Sequence, residues 1–279
     1  MKNTDLINPN YIFFLLLTIC FIACQPSNKE DLPKNQKESS KLFTLVNHDS
    51  SGINFNNKIT STYDFNILEY NYFYNGSGVA IGDVNNDGLD DVFFGGNMVS
   101  SRLYLSQGEL KFEDVTEKAG VSTNQWITGV SMIDINQDGW LDIYLCASGY
   151  ADENLRHNLL FLNQQNGTFH EMAADYGLND NGYSTHAAWL DYDLDGDLDM
   201  YLLTHFHDKN NPNIPRPKSQ VTNTESFDRF YRNQGMSDNG HPVFEEVSKK
   251  SGINHEVYGL GIAIEDFNKD GWPDIYVAN

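Results

Sequence analysis

Between residues 42 and 279 the apolar positions fall into short runs, each stopped by Asp, Asn or Gly. Runs of this length, rich in β-branched and aromatic residues and bounded by turn formers, are the pattern of β-strands rather than helices. They come in pairs around a polar loop: Gly78–Gly82 with Asp91–Phe94, Gly129–Ile133 with Asp142–Leu145, His186–Leu190 with Asp199–Leu202, and Gly261–Glu265 with Asp274–Val277. Third strands are predicted at Arg102–Leu105, Asn158–Leu162 and Arg229–Arg232, and fourth strands at Phe112–Val115, Phe169–Met172 and Phe244–Val247. A module then closes on Gly followed by an apolar residue, as at Ala119-Gly120-Val121, Tyr176-Gly177-Leu178 and Ser251-Gly252-Ile253. Four strands per module of roughly 50 residues is the signature of a propeller blade. The fold class expected is all-β, a β-propeller of four-stranded blades whose strands are joined by hairpin loops. Leu42–Val46 followed by Ser51-Gly52-Ile53 reads as the tail of an earlier blade, and the alternation of Tyr70, Tyr72 and Tyr74 as a further strand.

The polar loop between first and second strands repeats four times as D-x-[DN]-x-D-G-x-x-D, starting at Asp83, Asp134, Asp191 and Asp266. Position 3 is Asn85, Asn136, Asp193 and Asn268, and position 5 is Asp87, Asp138, Asp195 and Asp270. Position 9 is Asp91, Asp142, Asp199 and Asp274. Oxygens at positions 1, 3 and 5 of a tight loop converge on one point, while Gly at position 6 permits the sharp turn. The position 7 carbonyl, from Leu89, Trp140, Asp197 or Trp272, can add a ligand and the position 9 Asp can close the shell. An all-oxygen set of this size suits Ca²⁺, at about four sites. Asp-Gly alone is an ordinary turn, but turn chemistry does not demand Asp at positions 1, 5 and 9 in every copy. An EF-hand would need Glu at position 12, where these loops carry Phe94, Leu145, Leu202 and Val277.

Charge narrows the partners. The chain of 279 residues carries 39 acidic against 18 basic side chains, a net charge of -21. Such a surface repels nucleic acid and favours cations. Of the three cysteines, Cys20 and Cys24 sit in the first segment and Cys146 stands alone in an apolar run, so it reads as a buried thiol without a disulfide.

The first residues read as an address. Lys2 precedes an apolar run from Tyr11 to Ala23 that is short for a membrane span, the shape of a secretory signal. Phe21-Ile22-Ala23-Cys24 resembles a bacterial lipobox, which would make Cys24 the acylated residue and residues 1–24 the signal peptide. Phe21 departs from the usual Leu. Residues 25–41 are a polar linker, and Lys29-Glu30-Asp31 within it resembles a surface-export signal or is simply solvated chain. The resulting expectation is an exported, outer-membrane lipoprotein, held on a membrane by its lipid.

The order of strand, D-x-N-x-D-G-x-x-D loop, strand, RLY-like strand and F-x-x-V with a terminal Gly resembles the FG-GAP repeat, also called the VCBS-type repeat. Integrin α-subunit propellers carry it, as do secreted bacterial proteins related to the cartilage acidic protein group, whose members often add an ASPIC/UnbV domain. The resemblance covers roughly Phe43 to the end. It implies an extracytoplasmic, calcium-stabilised propeller acting as a binding, adhesion or scaffold module for a surface glycan or another envelope protein, with no family-wide catalytic residue. The fourth module stops after its second strand, so the ring is incomplete as written. Either more blades belong to it, or residues 42–74 supply strands that close a four-bladed ring. The competing function is part of a polysaccharide lyase or hydrolase built on a calcium propeller. His205 and His207, the basic insertion from Asp208 to Asp228 with Lys209, Arg216 and Lys218, and Trp140 and Trp272, which can stack on sugar or pack between blades, are the remaining candidates.

Overall fold

The computed structural model describes residues 42–205, 224–253 and 257–279. The signal segment 1–24 with Cys24, the linker 25–41, His207, Lys209, Arg216 and Lys218 lie outside these described residues. The chain divides into two units after Leu45, and every element named below belongs to the second, Val46–Asn279.

Three four-stranded antiparallel sheets and one two-stranded sheet follow one another along the chain. The first is β1 (Val79–Gly82), β2 (Asp91–Phe94), β3 (Arg102–Ser106) and β4 (Phe112–Asp114). The second is β5 (Trp126–Ile133), β6 (Asp142–Ser148), β7 (Leu159–Asn163) and β8 (Phe169–Glu171). The third is β9 (Ser184–Leu190), β10 (Asp199–Thr204), β11 (Arg229–Met236) and β12 (Pro242–Glu246). β13 (Gly261–Glu265) and β14 (Asp274–Ala278) form the last. Each sheet is a meander in sequence order, so each connection is a local hairpin. First strands of successive sheets lie side by side, β1 by β5, β5 by β9 and β9 by β13. Side chains tie them together: Thr128 Oγ1 donates to Ser184 O and Ser131 Oγ to Ala187 O.

Second strands carry the core. Every residue of β6 and β10 is buried. Because side chains alternate along a strand, Ile143, Leu145 and Ala147 fill the layer between the first and second sheets, and Tyr144 and Cys146 fill the next. Met200 and Leu202 then face the second sheet, while Tyr201 and Leu203 face the β13–β14 pair. This explains the unbroken apolar runs after each loop, since a strand covered on both faces loses its polar alternation. Cys146 is a free, buried thiol as expected, with burial pushing its pKa up.

Among the described residues, three short α-helices were not visible in the pattern: α1 (His48–Ser51), α2 (Thr116–Ala119) and α3 (Ala173–Tyr176). Each ends on a glycine with positive φ, Gly52, Gly120 and Gly177. A Cβ on these glycines would meet the fourth strand of the following sheet, at Phe112 O, Phe169 O and Phe244 O respectively. The match identifies α1 as the closing helix of a module before the first sheet, so the predicted tail is right in its glycine, and the helix before it is new. It is wrong in its strand: residues 42–47 form none, and Phe43 is exposed. The predicted strand at Tyr70, Tyr72 and Tyr74 is also absent. Tyr70 N donates to Asn66 O and Phe73 N to Tyr70 O, so the segment turns. The turn buries Tyr70 and Phe73 against Trp126.

Candidate metal centre

All four acidic loops sit between a first and a second strand, and they share one hydrogen-bond pattern. In the first, Asp87 N donates to Asp83 Oδ1 at 3.1 Å and Gly88 N to Asp83 Oδ2 at 2.7 Å. Asp87 N also reaches Asn85 Oδ1 at 3.0 Å, and Leu89 N donates to Asp87 Oδ1 at 2.8 Å. Asp134, Asn136, Asp138 and Trp140 repeat this set, as do Asp266, Asn268, Asp270 and Trp272. The third loop keeps it through Asp191, Asp195 and Asp197. Positions 1, 3, 5 and 7 are thus drawn to one side of each turn, with φ above 85° at the position 6 glycines Gly88, Gly139, Gly196 and Gly271.

Position 9 does something the spacing did not reveal. Asp91 Oδ2 accepts from Val84 N and its Oδ1 from Ser106 N on β3. Asp142 does the same with Ile135 N and Asn163 N, and Asp199 with Tyr192 N and Asn233 N. These carboxylates lock the loop base to the third strand, and all three are fully buried. Burial, then the nearby loop carboxylates, pushes Asp142 up to about 7 and Asp199 up to about 6, against donation from the backbone; Asp91 is raised for the same reasons. In the fourth loop Asp274 accepts from Phe267 N.

The third loop is the most acidic. Asp191, Asp193 and Asp195 each place a carboxylate oxygen so that all lie within 4.8 Å of one another, a cluster able to hold a metal ion. Asp197 adds a side-chain carboxylate where only a carbonyl was expected, and burial and then Asp195 raise it to about 6. One oxygen of Asp193 and one of Asp197 are buried with no hydrogen-bond partner. Buried anionic oxygens without donors, facing like charges, are what a bound cation would relieve, so these residues fit the metal. Part of the charge is met by Arg232 within β11, whose Nη2 lies 2.8 Å from Asp193 Oδ2 and 3.9 Å from Asp195 Oδ2. Sequence reading passed over Arg232, although the signal was there: the sheet with the extra loop carboxylates carries Arg at this place in its third strand, where the first two sheets carry Leu105 and Leu162.

Other candidates fare differently. His205 is buried among the Tyr70, Tyr72 and Tyr183 rings, within 3.4 Å of Ser148 Oγ. Trp140 is half-buried and Trp272 is half exposed. Asp228, at the end of the insertion, is buried and accepts from Thr204 N and Tyr201 Oη.

The family model described as FG-GAP-like repeat matches residues 83–145 and 146–202. The chain carries FG-GAP-like repeats. The first span runs from the first loop into β6 and the second from within β6 into β10, so each takes in the later strands of one sheet and the first hairpin of the next, and the all-β series of four-stranded sheets is consistent with a partial FG-GAP propeller. Cartilage acidic protein 1 of Mus musculus is 27% identical over 238 residues, covering 72% of this chain and 35% of that protein. Its Xenopus tropicalis counterpart is 26% identical over 215 residues, covering 76% and 30%. Integrin alpha pat-2 of Caenorhabditis elegans is 24% identical over 241 residues, covering 77% and 18%. The repeats are therefore distantly related to cartilage acidic protein 1 and integrin alpha subunits, and the chain spans about a third or less of the length of these relatives.

Proposed function

We propose that the chain is a calcium-stabilised, lipid-anchored extracytoplasmic module that binds a surface glycan or another envelope protein and carries out no catalysis. The observation that carries this reading is the third loop, where three carboxylates converge and buried oxygens of Asp193 and Asp197 have no donor. Side chains at positions 1, 3 and 5, the position 7 carbonyl and the position 9 Asp would hold the ion in each loop. A bound Ca²⁺ supplies a structural cross-link between first and second strands. The residues themselves hold the turn in shape and, through position 9, fasten it to the third strand. None of the relatives reported above is named as an enzyme, which favours binding over a lyase or hydrolase. The rigid blades and the long insertion of the third module, a natural place for recognition, support the same reading.

Anchoring is testable by itself. Two or more acyl chains on Cys24, at about 0.8 kcal/mol per buried CH₂, would hold the protein stably on a bilayer. Cys24→Ala should move it to the soluble fraction and abolish fatty-acid labelling; unchanged membrane association and labelling would reject the anchor.

A further inference from the structure

We infer that the first three acidic loops are coupled in series by the side chain at position 4, so that ordering one loop and metal binding at the next favour each other. The inference rests on the calcium reading above. Position 4 holds no ligand, yet it adopts the left-handed conformation in every loop, with φ of 56° at Asn86, 57° at Gln137, 58° at Leu194 and 62° at Lys269. Outside glycine that conformation is uncommon, and a long unbranched residue there carries some strain. What the turn achieves is to aim the side chain out of its own loop.

Asn86 Nδ2 crosses to the second loop and donates to Gly139 O at 3.1 Å. Gln137 Nε2 crosses to the third and donates to Gly196 O at 2.7 Å. The receiving carbonyl is not a random surface atom. The peptide that begins at Gly139 C=O ends at Trp140 N–H, which donates to Asp138 Oδ1 at 2.9 Å. The peptide from Gly196 C=O ends at Asp197 N–H, which donates to Asp195 Oδ1 at 3.2 Å. In both cases the incoming amide, the peptide and the position 5 carboxylate form one hydrogen-bonded line. A donor on the carbonyl polarises the peptide, strengthens its N–H bond to the carboxylate and fixes the plane from which the position 7 carbonyl follows. Asn86 is thus a positioning residue for the second loop, and Gln137 for the third. The line ends there, because Leu194 has no donor to pass to the fourth loop.

Two readouts test this. The first needs no metal: in chelator, Asn86→Leu, which keeps the size but removes the donor, should speed amide deuterium uptake in residues 138–141. Gln137→Met should do so in residues 195–198, and Leu194→Ala should leave residues 270–272 unchanged. The second uses terbium(III) as the probe, with emission excited through indole; in a Trp189→Phe, Trp272→Phe background, which removes the indoles beside the third and fourth loops, Trp140 reports the second loop. Loss of one hydrogen bond predicts about a 2- to 10-fold rise in the terbium concentration that half-saturates the Trp140 signal in the Asn86 variant. Terbium binding with unchanged half-saturation and unchanged exchange would overturn the coupling and leave the calcium reading intact. No terbium or calcium uptake at any loop would overturn the calcium reading, and the coupling with it.

Discussion

Asp142, Asp197 and Asp199 hold protons more tightly than a free carboxylate, with Asp142 raised from 3.8 to about 7 and the other two to about 6. A raised folded pKa means that the folded chain binds protons the unfolded chain releases. Without metal, stability should therefore rise as pH falls from about 7 towards about 4, and be lost as pH climbs through 6 to 7. His186, whose burial holds it below its usual 6.5, opposes this from about pH 6.5 downward, but it is one group against three. Calcium competes with those protons, so saturating calcium should shrink or reverse the trend. Urea midpoints at pH 7.5 and 5.5, with chelator and with calcium, check this; a lower midpoint at pH 5.5 in both conditions would contradict it. Most of these residues were legible, since Asp at positions 1, 5 and 9 recurs in every loop. What spacing could not tell is that position 9 faces the backbone of the third strand, because that strand arrives from 15 residues later in the first module. Arg232 was missed for a similar reason: its partners Asp193 and Asp195 belong to a strand pair it meets only after folding.

The closing helices show what a sequence pattern resolves at the level of an element. Strand limits were legible to within about three residues at most ends because each strand is bounded by Asp, Asn or Gly. Helices of four residues make little more than one hydrogen-bonded turn, too short for a helical period to register. Their glycines carry the sharper information. Gly120 and Gly177 share a left-handed φ, but a Cβ would sit 3.6 Å from Phe169 O in one and 2.8 Å from Phe244 O in the other. Gly120→Ala should cost about 1 kcal/mol, for conformation alone. Gly177→Ala should cost about 2 to 3 kcal/mol, because β12 must also give way. Equal losses in urea unfolding would mean that the α3–β12 contact is not a packing constraint. The tyrosines at 70, 72 and 74 misled for the opposite reason. Alternation predicts a strand only where a partner strand is available, and here the aromatic cluster around Trp126 takes Tyr70 and Phe73 instead.

At the scale of the whole molecule, the central difficulty is charge. A net -21 is concentrated in part in loops where carboxylates face one another, and about four divalent cations would offset about eight of those charges. Extracellular calcium modules bind at about 0.1 to 1 mM, so at about 1 to 2 mM calcium a site at the tight end adds about 1.4 to 1.8 kcal/mol. Four such sites contribute roughly 6 to 7 kcal/mol before any coupling, a large share of a typical stability of about 5 to 15 kcal/mol. The blades are thus expected to depend on the metal for their cohesion. Scanning calorimetry with calcium and with chelator, on the parent chain and on Asp87→Ala and Asp90→Ala, tests this most directly. Asp87 is the position 5 carboxylate, and Asp90 at position 8 is exposed and outside the shared loop pattern. The account predicts a melting temperature well above the chelated value in calcium, a loss of about 1 to 3 kcal/mol for Asp87→Ala and almost none for Asp90→Ala. Equal melting temperatures with calcium and chelator, or an Asp90 variant as damaged as the Asp87 variant, would contradict it.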